Sequence, residues 1–307
     1  MHFPVMPQEV MEFLNVQPDG NYIDVTMGPG GHSTQVLEKL ETGKLLGIDC
    51  DPNAIGIAQE RLRKFGSKFF CLEGNFEDIR ELHAGTGIGQ VQGVLADLGL
   101  SSLQIEDAQR GFSFKLPGPL DMRMSPLQSI SAEDFINHSS ELDLSNIFFQ
   151  LGEERYSRRI ARAIMKARPF RTTTELAQVV TRVIPSRAGL HQFSHKRFSR
   201  PPMRRHPATR VFQALRIAVN RELETLATFL KKVPEVLAIG GRLVIISFHS
   251  LEDRLVKQAF QSWSREGSFR LLTRKVVRPS KTEVQSNLRS RSGCLRAIEK
   301  VDVGKST

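Results

Sequence analysis

Four short apolar runs recur at even spacing through the first third of the chain, and then the rhythm breaks. Tyr22–Thr26, Lys44–Asp49, Lys68–Leu72 and Val91–Asp97 read as strands. Ser33–Leu40 and Pro52–Phe65, between them, read as helices, with Pro52 in a first turn where its missing N–H costs nothing. Alternation of this kind predicts βαβ units and a parallel sheet. The next convincing buried strand is Gly241–Phe248, about 140 residues beyond Asp97, whereas a crossover needs only ~30. Thr209–Lys232 supplies the crossover helix: Val211, Phe212, Leu215, Val219, Leu223, Leu226, Phe229 and Leu230 recur at helical spacing. The remainder reads as an inserted helical domain over 109–206, with helices at Ala132–Asn137, Leu144–Leu151, Glu153–Ala167 and Thr173–Val183. The expectation is therefore an α/β domain formed by 1–108 and 207–307, interrupted by a mostly helical insertion.

Charge follows the same division. Residues 1–108 hold 7 Lys/Arg against 16 Asp/Glu, residues 109–206 hold 17 against 8, and residues 254–307 hold 13 against 4. An acidic first third joined to a strongly basic remainder points to a polyanionic partner or to a solvated basic surface. The 307 residues contain no apolar run near the ~18 of a membrane helix, so no membrane partner is expected. The start, Met1-His2-Phe3-Pro4, lacks the charged and apolar regions of a signal peptide. Three scattered cysteines (Cys50, Cys71, Cys294) suit neither a disulfide framework nor a zinc site, so a cytoplasmic protein without a metal is expected.

Asp24-Val-Thr-Met-Gly28-Pro-Gly30-Gly31-His32 follows the first strand. Glycines at a strand-to-helix turn let the backbone approach a ligand. About 20 residues on, Asp49 stands where an acid can accept ribose hydroxyls. A dinucleotide site wants a third glycine at the position of Ser33, and Asp24 is poor company for a phosphate. Asp24 suits the amino group of a cationic amino-acid moiety better, which favours S-adenosylmethionine over a dinucleotide. A turn without a ligand is the third reading. Asp97, in Asp97-Leu98-Gly99, puts a further carboxylate at a strand end, where open α/β sheets bind ligands. Phe76 would either cover an adenine or join the core.

These and other stretches match a known family. The strings include Tyr22-Ile-Asp-x-Thr26-x-Gly-x-Gly-Gly-His-Ser33, Asp97-Leu-Gly-x-Ser-Ser-x-Gln104, Pro119-Leu-Asp-Met-Arg-Met124 and Gly152-Glu-Glu-Arg155. Ser247-Phe-His-Ser-Leu-Glu-Asp-Arg254 and Arg289-Ser-Arg-Ser-Gly-Cys-Leu-Arg296 follow in order. The chain resembles the bacterial 16S ribosomal RNA cytosine-N4 methyltransferases, nearly end to end. The resemblance implies a Rossmann-like methyltransferase domain with an inserted helical substrate domain. It also implies methyl transfer from S-adenosylmethionine to the N4 of a decoding-region cytidine in small-subunit ribosomal RNA, free or within the assembled or assembling subunit. Carried over by motif, the cofactor contacts are Gly30, Gly31, His32, Asp49, Phe76, Asp97 and Gln104. Met27, Pro29, Cys50 and Leu288 depart from the family pattern, and Pro185–Arg205 is longer and more basic than it.

A cytosine amino group is a poor nucleophile because its lone pair is delocalised. Acceptors on its hydrogens and in-line placement would correct this. Asp97 is the candidate acceptor, serving the base, the cofactor or both. His249 either orients the base, relays a proton or is structural. Asp121 and Arg123 line the base pocket or pair with each other, and Asp253 is expected to pair with Arg254. Ser186–Arg210 holds Arg187, Lys196, Arg197, Arg200, Arg204, Arg205 and Arg210 with no acid, interleaved with Phe193, Phe198 and histidines. That mixture suits phosphates and unstacked bases. Arg155, Arg158, Arg159 and Arg162 extend it at helical spacing, or pair in part with Glu153 and Glu154. Base chemistry requires a base splayed from its stack. Two other classes remain: an NAD-linked oxidoreductase, which Ser33 argues against, and a non-catalytic RNA-binding protein, which Asp49 and Asp97 argue against.

Overall fold

Residues on a strand alternate between two faces, and here both faces are apolar, which requires cover on each side. In the computed structural model, which describes residues 3–184 and 206–302, the strands are β1 (Tyr22–Asp24), β2 (Leu45–Asp49), β3 (Phe69–Glu73), β4 (Val91–Asp97), β5 (Leu237–Ser247), β6 (Phe269–Leu271) and β7 (Cys294–Lys300). They form one sheet in the order β3-β2-β1-β4-β5-β7-β6. The first five strands are parallel, and β7 runs antiparallel to both β5 and β6. This is a doubly wound, Rossmann-like arrangement whose far edge closes with an antiparallel pair.

The helices are α1 (Pro7–Leu14), α2 (Gly31–Lys39), α3 (Pro52–Leu62), α4 (Ile79–Ala84), α5 (Ser102–Glu106), α6 (Ala132–His138) and α7 (Glu141–Gln150). They continue with α8 (Ser157–Ala167), α9 (Thr173–Val183), α10 (Thr209–Asn220), α11 (Glu222–Val236), α12 (Ser250–Arg265) and α13 (Lys281–Ser286). One core joins Ile23, Leu46, Val94, Ala96, Leu243 and Ile245 to Leu226, Phe229, Leu230 and Val233 of α11 and to Val256 and Phe260 of α12. The other joins the intervening residues Tyr22, Leu45, Leu95, Val244 and Ile246 to α1, α2 and α3 through Val10, Leu14, Val36, Leu37, Ile55 and Ala58.

The chain forms two compact units: Met1–Ser101 with Leu223–Thr307, and Ser102–Glu222. The second boundary thus falls at 222/223 rather than 206/207, because α10 packs on α6 and α7 within the second unit. The single helix expected over Thr209–Lys232 is two. Arg221 adopts a left-handed conformation (φ 50°) and ends α10. The apolar stripe runs through the break because its first half serves one core and its second half another. Helix α8 likewise begins at Ser157, not Glu153, since Glu153 is left-handed (φ 48°) and the Glu154 carboxylate accepts the Tyr156 N–H at 2.9 Å.

Phe229 is fully buried and meets Phe76 edge-on at 5.4 Å. Phe229→Ala should cost about 3–5 kcal/mol of stability, read as a lowered unfolding midpoint in urea.

Candidate active site

Strands β1, β2 and β4 lie side by side, with Asp24 opposite both Gly47 and Leu95, so their carboxyl ends open on one edge. The chain leaves β1 through two left-handed glycines, Gly28 (φ 53°) and Gly30 (φ 80°), before entering α2. A Cβ at Gly30 would lie 3.0 Å from the Leu62 side chain, which would have to shift, and the left-handed φ there favours glycine. The turn is pinned to the next strand end. The Gly28 N–H donates to Asp49 Oδ2 at 2.7 Å, and the Asp51 N–H donates to Asp49 Oδ1 at 2.9 Å. Asp51 in turn caps α3 through the Asn53 N–H.

Asp24 is 2% exposed and braces the turn from beneath. Its Oδ2 accepts from Ser33 Oγ at 2.7 Å and its Oδ1 from the Thr26 N–H at 3.3 Å. Both Asp24 oxygens thus serve the protein's own turn, each with one donor. This explains the serine where a dinucleotide site has glycine. Thr26 Oγ1 accepts the Asp97 N–H at 2.6 Å and so fixes the end of β4.

His32 and Asp97 face each other at 3.7 Å between Nε2 and Oδ2. Both ring nitrogens of His32, and Asp97 Oδ1, are buried without a hydrogen-bond partner among the described residues. Orphaned polar atoms of this kind are uncommon in proteins and point to a polar ligand. The edge is also electrostatically unbalanced. Burial raises the Asp24 carboxyl pKa, with Asp97 adding to the rise and the Ser33 hydroxyl and His32 opposing it. Burial pushes Asp49 up to about 6, against the lowering effect of the Asp51 and Gly28 N–H groups, while Asp51 and Asp24 raise it further. A cationic ligand would relieve this crowding of carboxylates.

Phe76 follows β3 and stands partly buried against the core. His249 follows β5, three residues beyond Ile246, which pairs with Asp97. The structure makes His249 the cap of α12. Its Nδ1 accepts the Glu252 N–H at 3.3 Å, and Glu252 Oε1 lies 3.1 Å from Nε2 without hydrogen-bond alignment. The cap matches the structural one of the three readings of His249, and Nε2 stays buried without a hydrogen-bond partner among the described residues.

The chain matches the MraW methylase family over residues 1–301. It belongs to that family. Among similar proteins, "Ribosomal RNA small subunit methyltransferase H" of Dehalococcoides mccartyi is 45% identical over 316 residues, covering 98% of this chain and 86% of that protein. The protein of the same name from a Nostoc species is 47% identical over 299 residues, covering 97% and 92%. Among solved structures, a putative rRNA-methylase from Clostridium thermocellum aligns with a TM-score of 0.45 at 14% identity, covering 96% of this chain and 95% of that one.

In this MraW methylase the first unit brings Gly30, Gly31, His32, Asp49, Phe76, Asp97 and His249 to one sheet edge. Gln104 lies in α5 of the second unit and is buried. Arg210 is also in the second unit; it donates to the Glu153 carbonyl at 3.0 Å and stands 4.0 Å from Glu154. Arg197, Arg200, Arg204 and Arg205 lie outside the described residues. Arg123 forks onto Asp121 at 2.9 and 2.7 Å, the pairing alternative for those two. Asp253 pairs with Arg296 at 2.7 and 3.1 Å rather than with Arg254, because β7 carries Arg296 beside α12. Arg155 lies over the Tyr156 ring at 4.6 Å, and Arg162 reaches Glu141 at 3.4 Å. The sequence reading missed Ser33 and Thr26 as site residues. Their signal was present in the Asp-x-Thr and Gly-His-Ser strings, but hydroxyls acting through a second residue have no spacing rule.

An acid whose folded pKa is raised binds more protons folded than unfolded. For Asp49, stability therefore falls as pH rises from about 4 to about 6. Unfolding midpoints of the wild type and Asp49→Asn should diverge over that window, with the wild type losing relative stability at the higher pH.

Proposed function

We propose that this methylase transfers a methyl group from S-adenosylmethionine to the exocyclic N4 of a cytidine in the decoding region of small-subunit ribosomal RNA. The observation that carries the reading is the acidic edge itself. Asp49 and Asp97 stand beside a glycine turn and a histidine whose polar atoms lack partners. Relatives bearing a ribosomal RNA methyltransferase name cover nearly the whole chain.

The residues fit the cofactor. Each Asp49 oxygen accepts one backbone N–H and keeps a lone pair, so the two together suit a ribose diol. Gly30 and Gly31 permit close backbone approach, and Phe76 offers a ring at the adjacent strand end for an adenine. His32 Nδ1 and Nε2 and Asp97 Oδ1 supply the remaining polar contacts. Gln104 is a further cofactor contact that the resemblance implies. Bound there, S-adenosylmethionine supplies an electrophilic methyl group on a sulfonium.

The target cytosine is splayed from its stack so that its amino group reaches the end of β4. The Asp97 carboxylate, held by Thr26 through its backbone N–H, accepts an amino hydrogen and localises the nitrogen lone pair. Fixing that lone pair in line with the methyl group lowers the entropic barrier. His249 holds the turn after β5 and acts by position. The acid-free stretch with Arg197, Arg200, Arg204, Arg205 and Arg210 contacts the RNA. The natural acceptor is the assembled or assembling subunit, met in the cytoplasm. Among the described residues, no helix is long and apolar enough to cross a membrane.

Small ribosomal subunits lacking the modification should accept labelled methyl as N4-methylcytidine, identified by mass. Asp97→Ala should lower turnover about 10²–10³-fold, the usual loss for one transition-state hydrogen-bonding group. Label appearing in a different nucleoside would refute the proposed specificity. Cofactor affinity, measured by titration calorimetry, should weaken as pH falls through about 6, where Asp49 takes up a proton. Asp49→Asn should bind weakly and lose that pH dependence.

A further inference from the structure

The far end of the same sheet edge is as basic as the cofactor end is acidic. Residues 270–291 contain Arg270, Arg274, Lys275, Arg278, Lys281, Arg289 and Arg291 against one acid, Glu283. That acid is engaged: Glu283 Oε1 accepts the Met6 N–H at 2.7 Å. Arg274, Lys275, Arg278, Lys281, Arg289 and Arg291 are all exposed. Arg274, Lys275, Lys281 and Arg291 make no ion pair among the described residues.

Register places this segment. Strand β7 begins where the parallel strands end: Cys294 lies opposite Ser247 and Leu295 opposite Ile246, and Ile246 also lies opposite Asp97. The segment after β6 returns to β7 at Val277, which bridges Leu295. Between Leu271, opposite Ile298, and Val277, the outer chain has more residues than β7 does and bulges outward. Thr273 pins the base of the bulge through hydrogen bonds with Ala297, leaving Arg274 and Lys275 at its crest. Beyond Val277, Arg278 donates to the Gly293 carbonyl at 3.3 Å, and Gly293 lies under Met6. Residues 277–294 are therefore anchored at the carboxyl edge of the sheet. At ~4.8 Å per strand, β7 is about 10 Å from Asp97 on β4.

We propose that the basic segment 274–291 of the first unit is a second RNA-binding surface, which grips the phosphodiester backbone next to the target cytidine. The inference rests on the RNA-methylating reading above. Phosphates are excluded from the carboxylate end of the edge and drawn to the β7 end, so the polynucleotide is oriented across the strand ends. A base that leaves its stack beside that grip is directed toward Asp97.

The test uses the full-length protein with Arg274→Gln, Lys275→Gln, Lys281→Gln and Arg291→Gln combined. KM for unmodified small subunits is measured over a range of salt concentrations, and S-adenosylmethionine affinity is measured in parallel. The expected result is a KM raised at least about tenfold at moderate salt. The slope of log KM against log salt should fall by about 3–3.5, since each of the four lost phosphate contacts removes ~0.7–0.9. Cofactor affinity should stay unchanged. The charge-conserving set Arg274→Lys, Lys275→Arg, Lys281→Arg and Arg291→Lys should restore KM. An unchanged KM and slope would overturn the proposal. A second measurement, on the wild type, guards against misfolding: Lys275 and Lys281 should be protected from acetylation by bound subunits, and full reactivity in the complex would equally overturn it. A wild type that methylates no subunit would instead refute the RNA-methylating reading, and the inference would fall with it.

Discussion

The hydrogen bond from the Gly28 amide to the Asp49 carboxylate ties together the parts of the cofactor edge. It joins the turn after β1 to the end of β2, and the second Asp49 oxygen holds the Asp51 amide that begins α3. Asp49 accepts both as an oriented, buried carboxylate, and that burial pushes its pKa up to about 6. Gly28 itself is left-handed (φ 53°), a conformation glycine adopts without steric cost. Beneath it, the Asp24–Ser33 pair holds the start of α2 against β1. A buried carboxylate with a hydroxyl partner is a stiff brace, since breaking either side leaves an unsatisfied polar group.

This frame leaves the edge with an electrostatic gradient. Asp24, Asp49 and Asp97 crowd the ends of β1, β2 and β4, while arginines and lysines gather beyond β7. The acidic end favours a cationic ligand and the basic end an anionic one. Between them stand Asp97 and the β5 turn held by the His249–Glu252 capping box. The sheet order thus separates the two charged ends and places the Asp97 carboxylate between the glycine turn and β7.

Much of the first unit was legible because local rules govern it. The four early strands, the Pro52 helix start and the glycine turn each follow from periodicity or from a backbone position that one residue type satisfies. The elements that escaped were those set by tertiary contacts. The run from Thr209 to Lys232 has unbroken helical periodicity, yet Arg221 breaks it, because Asn220 is tied to the backbone of Met122 and Met124 and the two halves face different cores. Strand β7 was read only as part of a motif. Its seven residues mix charge with apolar side chains, and it is recognisable as a strand only when β5 and β6 lie on either side. Asp253 could not be matched to Arg296 for the same reason: the partners are 43 residues apart and meet through β7.

The sequence by itself determined the alternating architecture, the long interruption before the fifth strand, the glycine turn with its acids at strand ends, and, through full-length motifs, the family. These are properties of local order and spacing, and the chain writes them directly. Only the tertiary structure decided which atoms those residues present. It turned Asp24 inward as a brace and made His249 a helix cap. It left the ring nitrogens of His32 and Asp97 Oδ1 without hydrogen-bond partners among the described residues, and it carried the basic segment to the same edge as the acids. Burial and hydrogen-bond satisfaction are set by neighbours distant in sequence. Identical motif letters can therefore support the backbone or face a ligand, and the fold decides between the two.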